Sequence, residues 1–331
     1  MSKLVSVIIP CFNAERWLKE AIDSCLKQTY PAIEIIVIDD GSSDGCLDII
    51  KSYGDKIIWE TGPNRGGNYA RNRGFDLSKG EYIQYLDADD YILTEKVERQ
   101  VRFLEETGAD VVYGDWRYQR HLPDGKTFLE DIKVSGTQAD ILESLLAGWW
   151  VSPACLLFTR KAVEKSDGWD ENLKAAQDRD FFISVVMSGA KVVYQAGCYS
   201  IYRRYGNVTV STSSRVRCLE SHLYILENTE QKLLEIGKLS TKYRHALAQS
   251  YFMIARGYLH IDYSKYLNFL DKTLTLCPQF KANSADRTAI YNLAQNIFGF
   301  RRLEQFVVWL KRFKTSTTRK LNTLNRFKVS A

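Results

Sequence analysis

Three carboxylates close the stretch EYIQYLDADDY (Glu81–Tyr91): Asp87, Asp89 and Asp90. An Asp-x-Asp pair delivered by a strand into a loop offers hard oxygen ligands to one Mg2+ or Mn2+, and a cation held that way grips a phosphate. The same residues also serve as strand ends and caps, where short acidic side chains bond nearby backbone N–H groups. The spacing leaves both uses open, so the surrounding elements decide.

Those elements alternate in type. VSVIIP (Val5–Pro10) is a short apolar run ended by proline and reads as a buried strand. Between Glu15 and Gln28, Leu18, Ala21, Ile22, Cys25 and Leu26 fall on one helical face. EIIVIDD (Glu34–Asp40) is a second strand, followed by a helix that Ser43 or Asp44 caps, and KIIWE (Lys56–Glu60) is a third strand. Gly66-Gly67 opens a helix, the Glu81 stretch supplies the next strand, a helix starts from a Thr94 cap, and DVVYG (Asp110–Gly114) is strand again. Such alternation predicts a mostly parallel, doubly wound sheet, with ligands outside the carboxyl ends of its strands. Those ends carry Pro10–Asn13, Asp39-Asp40 and Asp87–Asp90. Acids at two strand ends of one sheet favour a site over simple capping.

A chain of 331 residues, 45% hydrophobic, has room for two cores. Strand-like and helical pieces mix between residues 120 and 210; after about Arg215 only long helical windows remain. The expected domains are 1–214, α/β, and 215–331, all-α. Ala246–Pro278 faintly resembles one tetratricopeptide unit, but a lone unit cannot bury its own face, so a generic helical appendix fits better. The seven cysteines are odd in number and contain no C-x-x-C pair, and the four histidines have no metal-ligand spacing. Reduced thiols in a cytoplasmic protein are expected, with no disulfide frame or zinc site. Asn13 and Glu15 end the first apolar run too early for a signal peptide, and Glu143 and Pro153 break the window Ile141–Phe158, so no membrane span is expected. From Gly299 onward nine Lys/Arg face one acid, Glu304, which leaves the preceding body mildly acidic.

Four ordered motifs then point to one family. VSVIIPCFNAERWLKEAIDSCLKQTYPAIEIIVIDDGSSDG and GPNRGGNYARNRGFDLSKGEYIQYLDADD, followed by GWDENLKAAQDRDFF and YRRYGNVTVS, resemble inverting family 2 glycosyltransferases of the GT-A fold. The resemblance covers roughly residues 4 to 210. It implies a Rossmann-like, mostly parallel sheet flanked by helices, here followed by the helical domain. Gly66-Gly67 matches neither a Walker loop nor a dinucleotide fingerprint, so kinases and dehydrogenases find no support.

The resemblance also implies a nucleotide-sugar donor, a UDP-sugar first among them, and Mn2+ or Mg2+ as cofactor. On that basis Asp40 accepts a hydrogen bond from the base, Asp39 supports its loop, and Pro10 and Phe12 shape the floor of the base pocket. Arg71 faces the donor diphosphate. Asp89 binds the metal, with Asp87 on the ribose or on the metal through water, while Asp90 caps the following turn. Asp178 is the base that deprotonates the acceptor hydroxyl in a single inverting displacement. Arg203 or Arg204 reaches the phosphates. Two departures from the family pattern, Gln177 before Asp178 and Tyr205 where relatives carry His, keep a catalytically retired binding module as the alternative.

The acceptor is expected to be a glycan or a lipid-linked hydroxyl, with no nucleic-acid partner. Trp149, Trp150 and Trp169 offer ring faces for a sugar. Residues 301–328 put Phe306, Val307, Leu310 and Phe313 among basic side chains, a pattern suited to peripheral contact with the inner face of an anionic membrane.

Overall fold

The computed structural model describes residues 2–206, 214–281, 293–294 and 297–306. Its apolar runs become strands where the sequence places them. Four parallel neighbours in the order β3-β2-β1-β4 are built from β1 (Val5–Cys11), β2 (Ile33–Asp39), β3 (Ile58–Thr61) and β4 (Tyr82–Tyr85). Helices α1 (Glu15–Leu26), α2 (Cys46–Ser52) and α3 (Gly67–Leu77) connect them. Leu18, Ala21 and Ile22 of α1 are fully buried against this sheet, as their spacing requires. Each large aliphatic side chain buried this way contributes about 1.5–3 kcal/mol. Helix α3 approaches β1 closely enough that a Cβ on Gly74 would meet Ile8 Cγ2 at 2.4 Å, so only glycine fits there.

Beyond β4 the sheet changes direction. After β5 (Tyr91–Ile92) and α4 (Lys96–Thr107) come β6 (Val111–His121), β7 (Thr127–Leu129), α5 (Ile141–Leu146) and β8 (Leu156–Thr159). Strand β8 inserts between β4 and β6 and runs antiparallel to both. The sheet is therefore mixed, and parallel in its first half. The short helix α6 (Arg160–Glu164), then α7 (Gln177–Met187) and β9 (Val192–Arg204) follow, with β9 parallel to β6 and antiparallel to β5. Thr94 does not cap α4, whose N-cap is Glu95 without a side-chain bond. Asp44 does serve α2, accepting from the Cys46 N–H at 3.1 Å.

The helical region comprises α8 (Arg215–Glu235), α9 (Thr241–Tyr258) and α10 (Tyr263–Leu276). The chain divides into two units, one of residues 1–145 and 149–225, the other of 146–148 and 226–331. The division thus falls inside α8 rather than at its start. In the second unit, Tyr251 donates to the buried Glu230 at 3.0 Å, and Arg256 pairs with the fully buried Glu304 at 2.9 Å. No helix among the described residues is long and apolar enough to cross a membrane. Most of the expected membrane-contact segment, 307–328, lies outside the described residues, as do 207–211 of the fourth motif.

Candidate active site

Past β4 the chain turns at Ala88-Asp89, with Leu86 and Ala88 buried and Asp87 and Asp89 partly exposed. One oxygen from each of Asp87, Asp89 and Asp90 lies within 4.8 Å of the others. Carboxylates this close repel. Burial and the Asp87 charge push the Asp89 pKa up; burial with Asp89 and Asp87 pushes Asp90 well above the usual carboxylate range. A divalent cation relieves such crowding, and an all-carboxylate oxygen set suits Mn2+ or Mg2+.

The loop is held from β9. Asp90 accepts from the Arg203 backbone N–H at 2.8 Å, so it braces two distant segments rather than capping the next turn. The Arg203 side chain, expected at a diphosphate, is fully buried. Its Nη1 donates to the Asp89 carbonyl at 2.9 Å, its guanidinium lies over Trp17 (4.7 Å) and Tyr91 (4.8 Å), and it pairs with Glu20. It acts here as a strut behind the carboxylates. Tyr205 donates to Asp89 Oδ2 at 2.9 Å and packs on Trp17 at 5.0 Å.

The ends of β1 and β2 form a second wall. Asp39 is buried and accepts from Thr61 Oγ1 at 2.6 Å. Asp40, also buried, accepts from the Arg65 N–H at 2.7 Å and the Gly66 N–H at 2.8 Å, fixing the turn into α3. Gly66 takes φ 102° there, a conformation other residues adopt only with strain. Both carboxylates thus spend hydrogen-bonding capacity on the loops; a base would meet only the lone pairs that remain. Pro10 is half-buried, whereas Phe12 is 52% exposed, an apolar ring left open beside these loops. Asn13 has φ 48° and accepts from the Ser43 N–H at 2.8 Å, tying the β1 end to the β2 loop.

Arg71 joins the two walls. Its Nη2 donates to Asp87 Oδ1 at 2.6 Å with only 12% of the side chain exposed, and its guanidinium lies 4.5 Å above the Trp169 ring. A Cβ on Gly67 would come within 3.1 Å of Arg71 Nη1, so the glycine leaves the arginine room. Phe181 stacks on Trp169 at 4.3 Å and 9°. Trp169 is buried, 4% exposed, so it supports Arg71 instead of offering a face to a sugar.

Asp178 sits in the first turn of α7, and its Oδ2 accepts from the Trp150 indole N–H. Burial raises its pKa, the Trp150 bond lowers it, and it lies close enough to Asp87 and Arg71 to feel both charges. The residue before the helix proper, Ala176, has φ 56°. Among the described residues, Asn13 and Ala176 alone of the non-glycines have positive φ, and both flank this site. Such strain costs on the order of 1–3 kcal/mol and persists where surrounding structure imposes it. Next to Asp178, Arg179 donates to the Leu145 carbonyl at 2.7 Å and contacts His222 Nδ1 at 3.1 Å. Burial and the guanidinium push the His222 pKa down to about 4, so the ring stays neutral and accepts.

The arrangement has relatives. The family model Glycosyl transferase family 2 matches residues 6–166. Glycosyltransferase GlyG of Streptococcus pneumoniae is 30% identical over 217 residues, covering 62% of this chain and 72% of GlyG. The chain belongs to glycosyltransferase family 2. An uncharacterized glycosyltransferase of Haemophilus influenzae is 40% identical over 119 residues, or 35% of this chain and 48% of that protein, so the chain spans about half the length of this relative. Among solved structures, Staphylococcus aureus TarS 1-349 in complex with UDP-GlcNAc superposes with a TM-score of 0.62 at 20% identity, covering 82% of this chain and 81% of that one. At that identity the likeness concerns the fold, which is GT-A.

Within the family frame, the structure brings Asp87, Asp89, Arg71 and Asp178 together and assigns Arg203 a buried role. Sequence reasoning missed the Trp150–Asp178 bond, the Tyr205–Asp89 bond and the Glu20–Arg203 pair. For Arg203 a signal existed. It shares strand parity with the buried Ile201, which marks its side chain as inward-facing.

Proposed function

We propose that this chain is an inverting, metal-dependent glycosyltransferase that moves a sugar from a nucleotide-diphosphate sugar, a UDP-sugar in the first instance, to a hydroxyl of a glycan or lipid-linked acceptor. The observation that carries the reading is Asp178. It is a carboxylate with a raised pKa, oriented by Trp150, within electrostatic reach of both Asp87 and Arg71. The UDP-GlcNAc complex of the TarS neighbour supports the choice of donor.

In this reading Phe12 and Pro10 floor the base pocket, and Asp39 and Asp40 hold its loops, with Asp40 turned to the base. Arg71 shifts part of its charge from Asp87 to the donor diphosphate. Asp178 takes the proton of the acceptor hydroxyl as that oxygen bonds to the anomeric carbon. The bond to the diphosphate oxygen breaks with its electron pair leaving on the nucleoside diphosphate, and the anomeric centre inverts. Asp89, with Asp87 beside it, would hold Mn2+ or Mg2+, which when bound neutralises charge on the departing diphosphate. A screen of nucleotide sugars with manganese, scored by nucleoside diphosphate release, tests the proposal. Release from at least one donor is expected. Tight UDP binding with no turnover of any donor would favour the retired-module alternative that Gln177 and Tyr205 suggest.

A further inference from the structure

A connected group of rings begins at Asp178, and of its members only Tyr202 lies in one of the motifs. Trp150, which bonds Asp178, meets Trp116 edge-to-face at 5.1 Å; Trp116 meets Tyr118 at 4.8 Å, and Tyr118 meets Tyr202 at 5.6 Å. Trp116 is buried, while Tyr118, Trp150 and Tyr202 remain half-exposed. The β6–β7 hairpin carries this group outward. Arg120 pairs with Phe128, and Trp116 bridges to Lys133. Directly paired residues share a face and successive ones alternate, so Trp116, Tyr118, Arg120, Phe128 and Lys133 present to one side.

The outer end of that face is cationic. Arg204 lies 4.5 Å from the Tyr118 ring centre and donates to its hydroxyl at 2.9 Å; Arg120 and Lys133 each lie 5.7 Å from the same ring. Among the described residues, one carboxylate forms ion pairs with these cations: Glu130 pairs with Arg120 and stands 3.8 Å from Lys133. Three cations about one ring against one acid is an excess that folding does not need, since like charges gathered this way repel. Among the described residues, Arg204 Nε is also buried without a hydrogen-bond partner. Rings take the apolar faces of sugars or polyols, and guanidinium and ammonium groups take phosphate or carboxylate.

We propose that this face is the acceptor site, and that the acceptor carries an anionic group, phosphate or carboxylate, near the hydroxyl that is glycosylated. The proposal rests on Asp178 serving as the base. It goes further by naming the acceptor's charge class and Trp150, Tyr118, Tyr202, Arg204 and Lys133 as its contacts. A neutral glycan would leave the cationic excess unused.

The test uses the full chain with manganese and the donor found by release assay, with acceptors in two matched pairs: p-nitrophenyl β-glucuronide against p-nitrophenyl β-glucoside, and glycerol 3-phosphate against glycerol. The anionic member of at least one pair is expected to show a KM about tenfold lower, at about fivefold for each well-placed cation less what Glu130 offsets. That gap should shrink as ionic strength rises. The double variant Lys133→Gln with Arg204→Gln should reduce it to about twofold. Isothermal titration calorimetry of the same four probes gives binding independently of turnover. Equal KM or equal binding for both members of each pair, no saturable binding of either anion, or a gap that survives the double variant overturns the proposal. Failure of the donor reading shows separately, as absence of UDP binding by the unaltered protein.

Discussion

Replacing Lys96 with methionine removes a charge buried behind the strand that delivers Asp87. Lys96 opens α4, is fully buried, and donates from Nζ to Gln84 Oε1 and to the Leu156 carbonyl at 2.9 Å. Burial pushes its pKa down from 10.5 to about 7, with Cys155 and Cys25 nearby offsetting a little of that. Between those two values the unfolded chain still holds a proton that the folded chain has released, so stability rises with pH across the window. The slope approaches about 1.4 kcal/mol per pH unit, and integrated from pH 7 to pH 9 it gives about 2 kcal/mol. Below about pH 6 both states are protonated and the slope vanishes. Methionine has similar volume and does not titrate, but it leaves Gln84 Oε1 without its donor, a cost of about 1–3 kcal/mol that is constant with pH. Urea melts of the wild type and Lys96→Met at pH 7, 8 and 9 should therefore diverge by about 2 kcal/mol in favour of the wild type at the alkaline end. Other titrating groups cancel in the difference. A difference that stays flat over the window would refute the reasoning.

Three further outcomes follow from the site. Trp150→Phe keeps a ring but removes the N–H that lowers the Asp178 pKa, so kcat should fall by about tenfold and the acid limb of the pH–rate profile should move to higher pH; an unmoved limb counts against the bond. Ala176→Gly relieves a left-handed alanine and should stabilise the fold by about 0.5–1 kcal/mol, read as a higher urea midpoint, whereas a lower midpoint would remove the strain argument. Saturating Mn2+ at about a hundred times its Kd should stabilise the wild type by about 2.7 kcal/mol in thermal melts, and Asp89→Ala should abolish that gain. Donor binding in Asp89→Ala that stays tight and indifferent to EDTA would contradict the metal role.

The first half of the sheet was legible because its signals are local. Val5–Pro10 and Glu34–Asp40 are mostly apolar runs closed near Pro10 and at Asp39-Asp40, and α1 shows its buried face in one helical period. The insertion of β8 between β4 and β6 was not, because pairing Tyr82 with Thr159 depends on partners far apart in sequence. The same limit hid the work of Arg203, whose contacts Glu20, Trp17 and Tyr91 come from α1 and β5. Trp169 looked available as an aromatic because nothing local says that it is buried against Phe181 and Arg71. Motif order put forward Asp87, Asp89, Arg71 and Asp178 as candidates; the Trp150 bond to Asp178 joins residues too far apart in sequence for any motif to show it.

The most direct test of the central claim is transfer by Asp178→Asn, measured beside its UDP affinity. Asparagine keeps the size of the side chain and can still meet the Trp150 N–H through its carbonyl oxygen, but it cannot take the acceptor proton. The account predicts sugar transfer lowered by at least about a hundredfold with UDP binding near the wild-type value. Transfer at the wild-type rate would show that the base lies elsewhere.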